Sequence, residues 1–231
     1  MITLLSVVIP TLDEASRLPR LLQDLAPLPI PHEIIVADGG SADGTTELAA
    51  ARGCRVLQTE SGRGRQLRAG AAAALGEWLL VLHADARVTP AALAEAVAAL
   101  GNHEVQCACW PLAIEGEGAW YRVIELGAAL RWRLFGLAYG DQGLLVRRSL
   151  YEAAGGYPEV GIMEDVVLIR RLGRLARIDR FRTPLLTDAR RWAREGPVRV
   201  SFRNVALLSL YLAGAPPDRL ARWYAPEPRD R

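Results

Sequence analysis

The sequence predicts an α/β protein whose core is a mostly parallel, doubly wound sheet covered by helices. In its first hundred residues, short apolar runs rich in β-branched side chains alternate with segments whose leucines or alanines recur at helical spacing. Glycine, proline or a capping residue stands at most of the boundaries between them. Four strand–helix pairs in succession favour parallel β-α-β units, and such units build sheets with helices on both faces.

Each element of the first half is predicted from its local pattern. Residues 4–10 (LLSVVIP) and 33–38 (EIIVAD) are typical of buried strands, the first ended by a proline and the second by two glycines. Thr89 before Pro90 is typical of a helix start. We predict strands at residues 4–10, 33–38, 55–58 and 77–83, and helices at residues 17–25, 41–52, 66–75 and 90–100.

The second half of the chain is less regular, and its pattern predicts a mixed arrangement of strands and helices. Apolar runs without alternating helices favour short strands, whereas the longer amphipathic stretches favour helices. We predict strands at residues 106–114 and 144–147, and helices at residues 119–135, 164–172 and 198–212. The tail from Ala225 is rich in proline and charge, and we expect it to be frayed.

The charge balance argues against one class of partner. Lys and Arg total 28 and Asp and Glu total 26, so the formal net charge of +2 gives no reason to expect a nucleic acid. Every basic residue is an arginine, which a GC-rich coding bias explains, so only the position of an arginine points to a phosphate. The three cysteines form no CxxC pair, and no apolar run reaches about 18 residues. We therefore expect free thiols, no membrane-spanning helix and a cytoplasmic protein.

Polar residues gather where the predicted strands end. In open α/β sheets, ligands bind beyond the carboxyl ends of the strands. A carboxylate at such a place can accept hydrogen bonds from a nucleoside, although capping of the next helix explains it equally well. The residues concerned are Thr11, Asp13 and Glu14 after the first strand, Asp38 after the second, and His83 and Asp85 after the fourth.

The sequence His83-Ala84-Asp85 is the sharpest local signal. A hard divalent cation, Mn²⁺ or Mg²⁺, takes oxygen ligands and often keeps substrate phosphates in its shell. One aspartate at a strand end suits that chemistry, and His83 would share its side of the strand if the chain stayed extended. A histidine at a strand end is more often a structural hydrogen-bonding residue.

Three further segments carry candidate residues. Arg63 and Arg65 stand in a Gly-rich turn before a helix, where backbone and guanidinium groups favour phosphate, although most basic turns are solvated surface. Glu164 and Asp165 open a helix, where they would act as caps or, in the case of Asp165, as a general base. The last segment, Arg190-Arg191-Trp192, suits either a diphosphate clamp or a surface patch.

Taken in order, these motifs resemble the inverting family 2 glycosyltransferases of the GT-A fold. SVVIPTLDEASRL resembles the opening of that family, IIVADGGSADGT its second-strand motif, LLVLHADARV its DxD strand and MEDVVLIRRL its ED helix. Arg190-Arg191-Trp192 is similar to its closing element, so the resemblance runs from about Leu5 to Trp192. In detail it is most similar to a bacterial branch described as radical-SAM/selenodomain-associated. This implies a transferase domain at residues 1–192 and a packed helical extension at residues 193–231.

The resemblance also implies roles for individual residues. Asp85 would bind the metal, and Asp165, with Glu164 beside it, would be the catalytic base. His83 replaces the first aspartate of the DxD motif, and Arg68 stands where the family has an asparagine. The nucleotide site would comprise Pro10, Thr11, Glu14, Asp38, Gly39, Arg63, Arg65, His83, Ala84, Arg190, Arg191 and Trp192.

We therefore expect a nucleoside-diphosphate sugar as donor, an unknown acceptor and direct displacement at the anomeric carbon. Two rival functions stay open. A sugar nucleotidyltransferase would need a basic, Gly-rich loop after the first strand, where this chain has the acidic Thr11-Leu12-Asp13-Glu14. A non-catalytic nucleotide-binding module is favoured by His83 and opposed by Glu164-Asp165.

Two fates are open for the apolar helix predicted at residues 198–212. It combines arginines with valine, leucine and tyrosine, which suits a membrane surface close to a lipid-linked acceptor at the inner face of the membrane. Packing onto the domain or onto a second subunit is the commoner fate of such a helix, and we favour it. The sequence leaves the oligomeric state open.

Overall fold

A computed structural model describes residues 4–224 of the chain, apart from the side chain of Arg191. The strands are β1 (Leu5–Thr11), β2 (His32–Asp38), β3 (Arg55–Gln58), β4 (Trp78–Val81), β5 (Ala86–Arg87), β6 (Cys107–Cys109), β7 (Leu112–Glu115), β8 (Leu144–Arg147), β9 (Ile178–Arg180) and β10 (Leu185–Asp188). The helices are α1 (Leu18–Leu25), α2 (Thr45–Ala51), α3 (Arg63–Ala73), α4 (Pro90–Leu100), α5 (Ala119–Phe135), α6 (Arg148–Ala153), α7 (Glu164–Leu175), α8 (Arg190–Glu195), α9 (Pro197–Leu212) and α10 (Pro217–Ala221).

The strands form two sheets. The larger has the order β3-β2-β1-β4-β8-β6-β9, in which β3, β2, β1 and β4 run parallel and β8 runs antiparallel to both its neighbours. The smaller has the order β5-β10-β7. The predicted α/β class, with a mostly parallel sheet and a mixed C-terminal half, is confirmed.

Strand β1 shows why the sheet is covered on both faces. Successive side chains of a strand point to opposite faces. Leu5, Val7 and Ile9 pack into one apolar cluster with helices α1 and α4, whereas Val8 packs into another with helices α3 and α7. All of β1 is buried, as expected for a central parallel strand. The buried sheet gives its carboxyl edge a rigid base.

The prediction of one strand over residues 106–114 is wrong. The segment forms β6 in the large sheet and β7 in the small one, with Trp110 and Pro111 between them. Pro111 has no N–H for a ladder, so pairing stops there. Its carbonyl accepts from the backbone N–H of Leu185, and the Trp110 N–H donates to the carbonyl of Gln142. The chain therefore leaves one sheet and enters the other at this dipeptide.

The region after β10 is helical as far as the structure describes it. Helix α9 packs through Val200 onto the cluster between α5 and β7, and through Leu207 onto α10. None of the helices within residues 4–224 has the length and apolar character that crossing a membrane requires. The boundary at residue 192 stays a prediction, and residues 225–231 of the predicted extension, with the frayed tail, lie outside the described residues.

Candidate active site

A cavity of about 560 Å³ opens beyond the carboxyl ends of β1 and β4. Its wall includes the loop after β1, the first turn of α3, the segment after β4, the 3₁₀ turn Gly140–Gln142 and the start of α7. Side chains of α8 and α9 close one side. The volume lies within the range of small-molecule and cofactor sites. The cavity is therefore at the edge where the strand order predicts a ligand.

The cavity brings together most of the predicted site residues and leaves three outside. Asp38, Gly39 and Arg65 do not line it, and the side chain of Arg191 lies outside the part of the chain that the structure describes. The predicted residues that do line it are Pro10, Thr11, Glu14, Arg63, His83, Ala84, Asp85, Glu164, Asp165, Arg190 and Trp192.

Asp38 lies beneath the cavity floor. It is 1% exposed, and its oxygens accept from Thr11 Oγ1 at 2.8 Å and from the backbone N–H groups of Gly40 and Ser41 at 2.9 and 2.8 Å. The N–H of Gly39 donates to the carbonyl of Thr11. The geometry therefore assigns Asp38 to holding the turn after β2 and orienting Thr11, which itself lines the cavity.

The two arginines of the Gly-rich turn point to different surroundings. Arg65 is exposed and pairs with Glu60 at 2.8 Å, away from the cavity. Arg63 lines the cavity, with its Nη1 3.9 Å from Glu164 Oε1. Burial opposes the charge of Arg63, but Glu164, Tyr224, Asp165 and Asp85 raise its pKa above the ordinary value. Arg63 is therefore the cation of this turn that can meet a bound phosphate.

Glu164 and Asp165 begin α7, and the backbone before them is held in an unusual conformation. Met163 has φ of 65°, in the left-handed region, which turns the chain sharply into the helix. Asp165 Oδ2 accepts from the N–H of Gly140 at 2.6 Å, and Oδ1 from that of Val166 at 2.7 Å. These two donors fix the direction of the carboxylate.

Glu164 differs from its neighbour in being 5% exposed. Burial, with the charge of Asp165 acting in the same direction, raises the pKa of Glu164 to about 7. Arg63 opposes this shift. The raised pKa means that Glu164 keeps its proton to a higher pH than an exposed glutamate does.

The segment His83-Ala84-Asp85 is a turn and not a continuation of the strand. Strand β4 ends at Val81, and the N–H of Ala86 donates to the carbonyl of His83 at 3.0 Å. The strand predicted at residues 77–83 is therefore shorter, Trp78–Val81, and the extended geometry that would put His83 and Asp85 on one side of the strand does not persist, although both side chains reach the cavity. Burial, together with the charge of Arg63, lowers the pKa of His83 well below its ordinary value, so the ring is neutral.

Asp141 is a cavity residue that the sequence prediction missed. It lies in the 3₁₀ turn, and its Oδ1 is buried without a hydrogen-bond partner. Burial, reinforced by Asp165 and Asp85, raises the pKa of Asp141 to about 6. Asp141 stands before the strand predicted at residues 144–147 and not after a predicted strand, so the pattern of polar residues at strand ends did not include it.

Helix α9 and Gln66 also contribute without having been predicted. The Gln66 side chain donates to the carbonyl oxygens of Thr11 at 2.6 Å and Ala37 at 3.0 Å, which joins α3 to the ends of β1 and β2. Val200, Asn204 and Leu207 of α9 line the cavity. Gln66 belongs to the same GRGRQ segment as the predicted arginines, whereas α9, like Asp141, carried no sequence signal for the cavity.

The donor set for a cation consists of carboxylates. Asp85 Oδ2 lies 3.5 Å from Thr187 Oγ1, and Asp141, whose Oδ1 is buried without a hydrogen-bond partner, lines the same cavity. Within residues 4–224, no three His, Cys, Asp or Glu side chains are grouped closely enough to hold a metal ion by themselves. One or two carboxylates, completed by water and substrate phosphate, are the usual shell of a magnesium-type ion. The residues therefore fit a divalent cation that arrives with a phosphate ligand.

Comparison with known proteins identifies related sequences and folds. Over 97 residues the chain is 37% identical to the succinoglycan biosynthesis protein ExoA of Rhizobium meliloti (strain 1021). The matched region covers 41% of this chain and 23% of that protein. The chain thus spans less than a quarter of that relative's length.

Three solved structures share the fold. S. aureus TarS 1-349 matches with a TM-score of 0.65 at 19% identity, over 80% of this chain and 60% of that one. The mannosyltransferase PcManGT from Pyrobaculum calidifontis, in complex with GDP-Man and Mn²⁺, matches with a TM-score of 0.61 at 21% identity, over 80% of this chain and 56% of that one. Glucosyl-3-phosphoglycerate synthase from Mycobacterium tuberculosis, in complex with Mn²⁺, UDP and glucosyl-3-phosphoglycerate, matches with a TM-score of 0.58 at 24% identity, over 80% of this chain and 70% of that one.

The sequence pattern described as glycosyl transferase family 2 matches residues 6–151, which is more than half of the chain. That range contains β1, the Gly-rich turn, the His83-Ala84-Asp85 turn and Asp141. The remaining cavity residues, from Gly161 onward, are added by the C-terminal half. The chain therefore belongs to glycosyl transferase family 2.

Proposed function

We propose that the protein moves a sugar from a nucleoside-diphosphate sugar to an acceptor hydroxyl, with inversion at the anomeric carbon. The observation that carries the proposal is the position of Asp165, whose carboxylate is fixed by Gly140 and Val166 and lines the same cavity as Arg63 and Asp85. A positioned carboxylate and a phosphate-binding cation in one cavity are the parts that a direct displacement needs. The relatives solved with UDP and GDP-Man support the same class of donor.

The donor would occupy the side of the cavity nearest β1 and α3. Thr11 and Glu14 would contact the nucleoside, with Asp38 acting through Thr11. Arg63 and Arg190 would meet the diphosphate, and the predicted contribution of Arg191 stays a prediction. Trp192 is 7% exposed and packs with Val200, so it would close the wall beside the donor by packing.

Charge balance supports a divalent cation in the donor complex. Asp85 and the buried, unpartnered oxygen of Asp141 are its proposed protein ligands. Such an ion would offset charge on the leaving diphosphate. Among the described side chains, seven carboxyl groups and three guanidinium groups line the cavity: Asp13, Glu14, Asp85, Asp141, Glu164, Asp165 and Asp188 against Arg17, Arg63 and Arg190.

Asp165 would accept the proton of the acceptor hydroxyl as that oxygen attacks the anomeric carbon. Each of its oxygens accepts one backbone hydrogen bond and retains a second lone pair for the acceptor. Glu164 would be its positioning neighbour, since its own oxygens are almost fully buried. A positioned base contributes about 10² to 10⁴-fold to the rate.

The test is turnover of UDP-, GDP- and TDP-sugars by Asp165→Asn and Asp85→Asn. The first should lower turnover by about 10² to 10⁴-fold with nucleotide affinity nearly unchanged, and the second should weaken cation-dependent nucleotide binding, measured by calorimetry. Asp179→Asn is the matched control, because Asp179 lies on β9, pairs with Arg177 and does not line the cavity. Wild-type turnover by Asp165→Asn would remove the base assignment. The acceptor, the branch and a cytoplasmic location stay predictions.

A further inference from the structure

Helix α5 presents an apolar face to solvent. Its inner side packs on β7 through Ala128 and Ile124, while the side about 180° away is exposed. Leu126 is 69% exposed and stands among other large apolar side chains of the same side. The exposed apolar residues on this side are Val123, Leu126, Leu130 and Leu134, and Trp120 is exposed at its edge.

Helix α9 has the same division. Val200 and Leu207 are buried on its inner side, and the opposite side carries a stripe at positions 198, 202, 205, 209 and 212. Four of these are large and apolar, and Phe202 is 76% exposed. The two helices meet at the cluster formed by Ala128 and Val200. We call the exposed set Trp120, Val123, Leu126, Leu130, Leu134, Val198, Phe202, Val205 and Leu212 the α5–α9 surface.

This concentration is unusual for a water-exposed surface. Of the thirteen large apolar side chains found exposed within the described residues, ten lie on α5 and α9. The others are Leu75 and Leu175, which stand alone, and Trp223 after α10. Single exposed apolar residues need no explanation, but a contiguous set marks a protein or membrane contact.

The charges around the α5–α9 surface are predominantly positive. Arg133 lies on one edge of the exposed side of α5 and Arg199 lies beside the stripe of α9, whereas Arg122, on the same edge of α5, pairs with Glu125 at 2.8 Å. The acidic residue of α5, Glu125, turns inward and accepts from the backbone N–H of Ile114. Arg199, Arg219 and Arg222 are exposed on or beside α9 and α10, as is Asp218, whereas Arg190 lines the cavity and Arg203 pairs with Glu195 at 2.7 Å.

An apolar stripe edged by arginines complements the headgroups of an anionic bilayer. A second copy of the same surface would bring the arginine edges of α5 and α9 close together, which charge repulsion opposes. Trp120 and Trp223 are exposed at 43% and 66%, and tryptophan is favoured at the membrane–water boundary. The charge pattern therefore favours a lipid surface over a second protomer.

The α5–α9 surface is close to the cavity. Val200, Asn204 and Leu207, on the inner side of α9, line the cavity, so the two features are separated by the width of one helix, about 10 Å. A bilayer in contact with the outer side would place its headgroups beside the cavity wall. An acceptor attached to a lipid could then reach Asp165 without leaving the membrane.

We propose that the α5–α9 surface binds the face of an anionic membrane and that the acceptor is lipid-linked. The choice of acceptor rests on the proposed transferase function, whereas the membrane contact does not. The contact is peripheral, because the two helices would lie in the plane of the surface and bury only one side each.

Co-sedimentation of the full chain with phosphatidylcholine vesicles, with and without phosphatidylglycerol, tests the membrane contact. We expect binding that requires the anionic lipid and weakens as salt is raised. Leu130→Ser/Phe202→Ser should weaken the partition coefficient at least about tenfold, since it removes one anchor from each helix. Leu75→Ser/Leu175→Ser is the matched control, because both leucines are exposed but stand apart from α5 and α9.

The outcomes separate the membrane contact from the transferase function. Without vesicles, Leu130→Ser/Phe202→Ser should hydrolyse the sugar nucleotide at the wild-type rate, whereas Asp165→Asn should bind vesicles normally and turn over poorly. Absence of binding to anionic vesicles at low salt overturns the proposal, as does an equal loss in both double variants. A dimer in light scattering that only Leu130→Ser/Phe202→Ser dissociates would show that a second copy covers the surface instead. A faster transfer to an acceptor carried in vesicles than to its water-soluble form would support the lipid-linked acceptor, and equal rates would overturn it.

Discussion

Gly140 is the position where a single added carbon should disturb the proposed catalytic carboxylate. A Cβ built there would collide with the imidazole of His83, lying 2.6 Å from its Cε1, and would lie 3.5 Å from Asp165 Oδ2. Non-bonded carbon atoms settle at about 3.5–4.0 Å, so the turn and the ring must separate by about 1 Å. Because the Gly140 N–H holds Asp165 Oδ2 at 2.6 Å, the displacement is passed to Asp165.

Gly140→Ala is therefore expected to lower kcat about 100-fold, the typical cost of a 1 Å misplacement. It should also cost about 1–3 kcal/mol of unfolding free energy, as overpacking does. Steady-state kinetics and urea denaturation measure the two effects. Gly127→Ala is the matched control, since a Cβ on this exposed α5 glycine meets nothing within 4 Å. It should leave kcat unchanged and stabilise the protein by about 1 kcal/mol.

A double variant distinguishes the collision with the His83 ring from a general loss of structure. Adding His83→Ala to Gly140→Ala removes the ring that the new methyl group meets, so kcat should rise above that of Gly140→Ala alone. A Gly140→Ala protein with wild-type kcat and wild-type stability would refute the contact between the 3₁₀ turn and Asp165.

Three further predictions concern stability and charge. The folded-state pKa of Glu164 is raised from 4.5 to about 7, so the unfolded chain loses this proton at a lower pH than the native protein does. The free energy of unfolding should therefore fall as the pH rises from 4.5 to about 7, by about 3 kcal/mol at most. Glu164→Gln should remove this pH dependence in urea denaturation. Asp141→Asn should weaken cation-dependent nucleotide binding about 10–100-fold in calorimetry while leaving the unfolding free energy without a cation unchanged or higher, with Asp179→Asn as control. Thr89→Ala, which removes the side-chain acceptor of the Ala92 N–H at 3.2 Å, should destabilise the protein by about 1 kcal/mol in thermal unfolding, without changing turnover.

The first half of the fold was predictable because its information is local. Strand β1 supplies Leu5, Val7, Val8 and Ile9 to the two apolar clusters, and α4 begins at a Thr-Pro pair whose threonine accepts from Ala92 as a cap should. The sequence and the family resemblance together also predicted that Asp38, Asp85 and Asp165 would converge on one cleft. Asp85 and Asp165 are far apart in the chain but line the same cavity, whereas Asp38 does not line it.

The misses arise where tertiary contacts decide. No local pattern in residues 106–114 shows that the chain changes sheets there. Nor does it show that the ring centroids of Trp110 and Phe181 lie 4.5 Å apart. The nucleoside contact of Asp38 stays a prediction, but no local pattern shows that its carboxylate is buried and accepts from Thr11 Oγ1. Asp141 carries no motif, because its position depends on a 3₁₀ turn that packs against α7.

The carboxyl groups that surround Arg63 determine how the donor must bind. A nucleoside diphosphate is itself an anion, so its entry into a cavity that carries more carboxylates than guanidinium groups is opposed by like charge. Charges in a partly enclosed site interact more strongly than in bulk water. Donor and divalent cation should therefore bind with positive coupling, since each offsets the charge that opposes the other.

Calorimetry of UDP or GDP, with Mn²⁺ and with chelator, measures the coupling. We expect the cation to tighten nucleotide binding at least about tenfold, which corresponds to about 1.4 kcal/mol. Arg63→Gln should make the nucleotide depend more strongly on the cation, because it removes the guanidinium nearest Glu164. Arg65→Gln is the matched control, since Arg65 belongs to the same turn but pairs with Glu60 outside the cavity. Equal nucleotide affinity in Mn²⁺ and in chelator would mean that Arg63 and its neighbours suffice, and the proposed role of Asp85 and Asp141 would then be wrong.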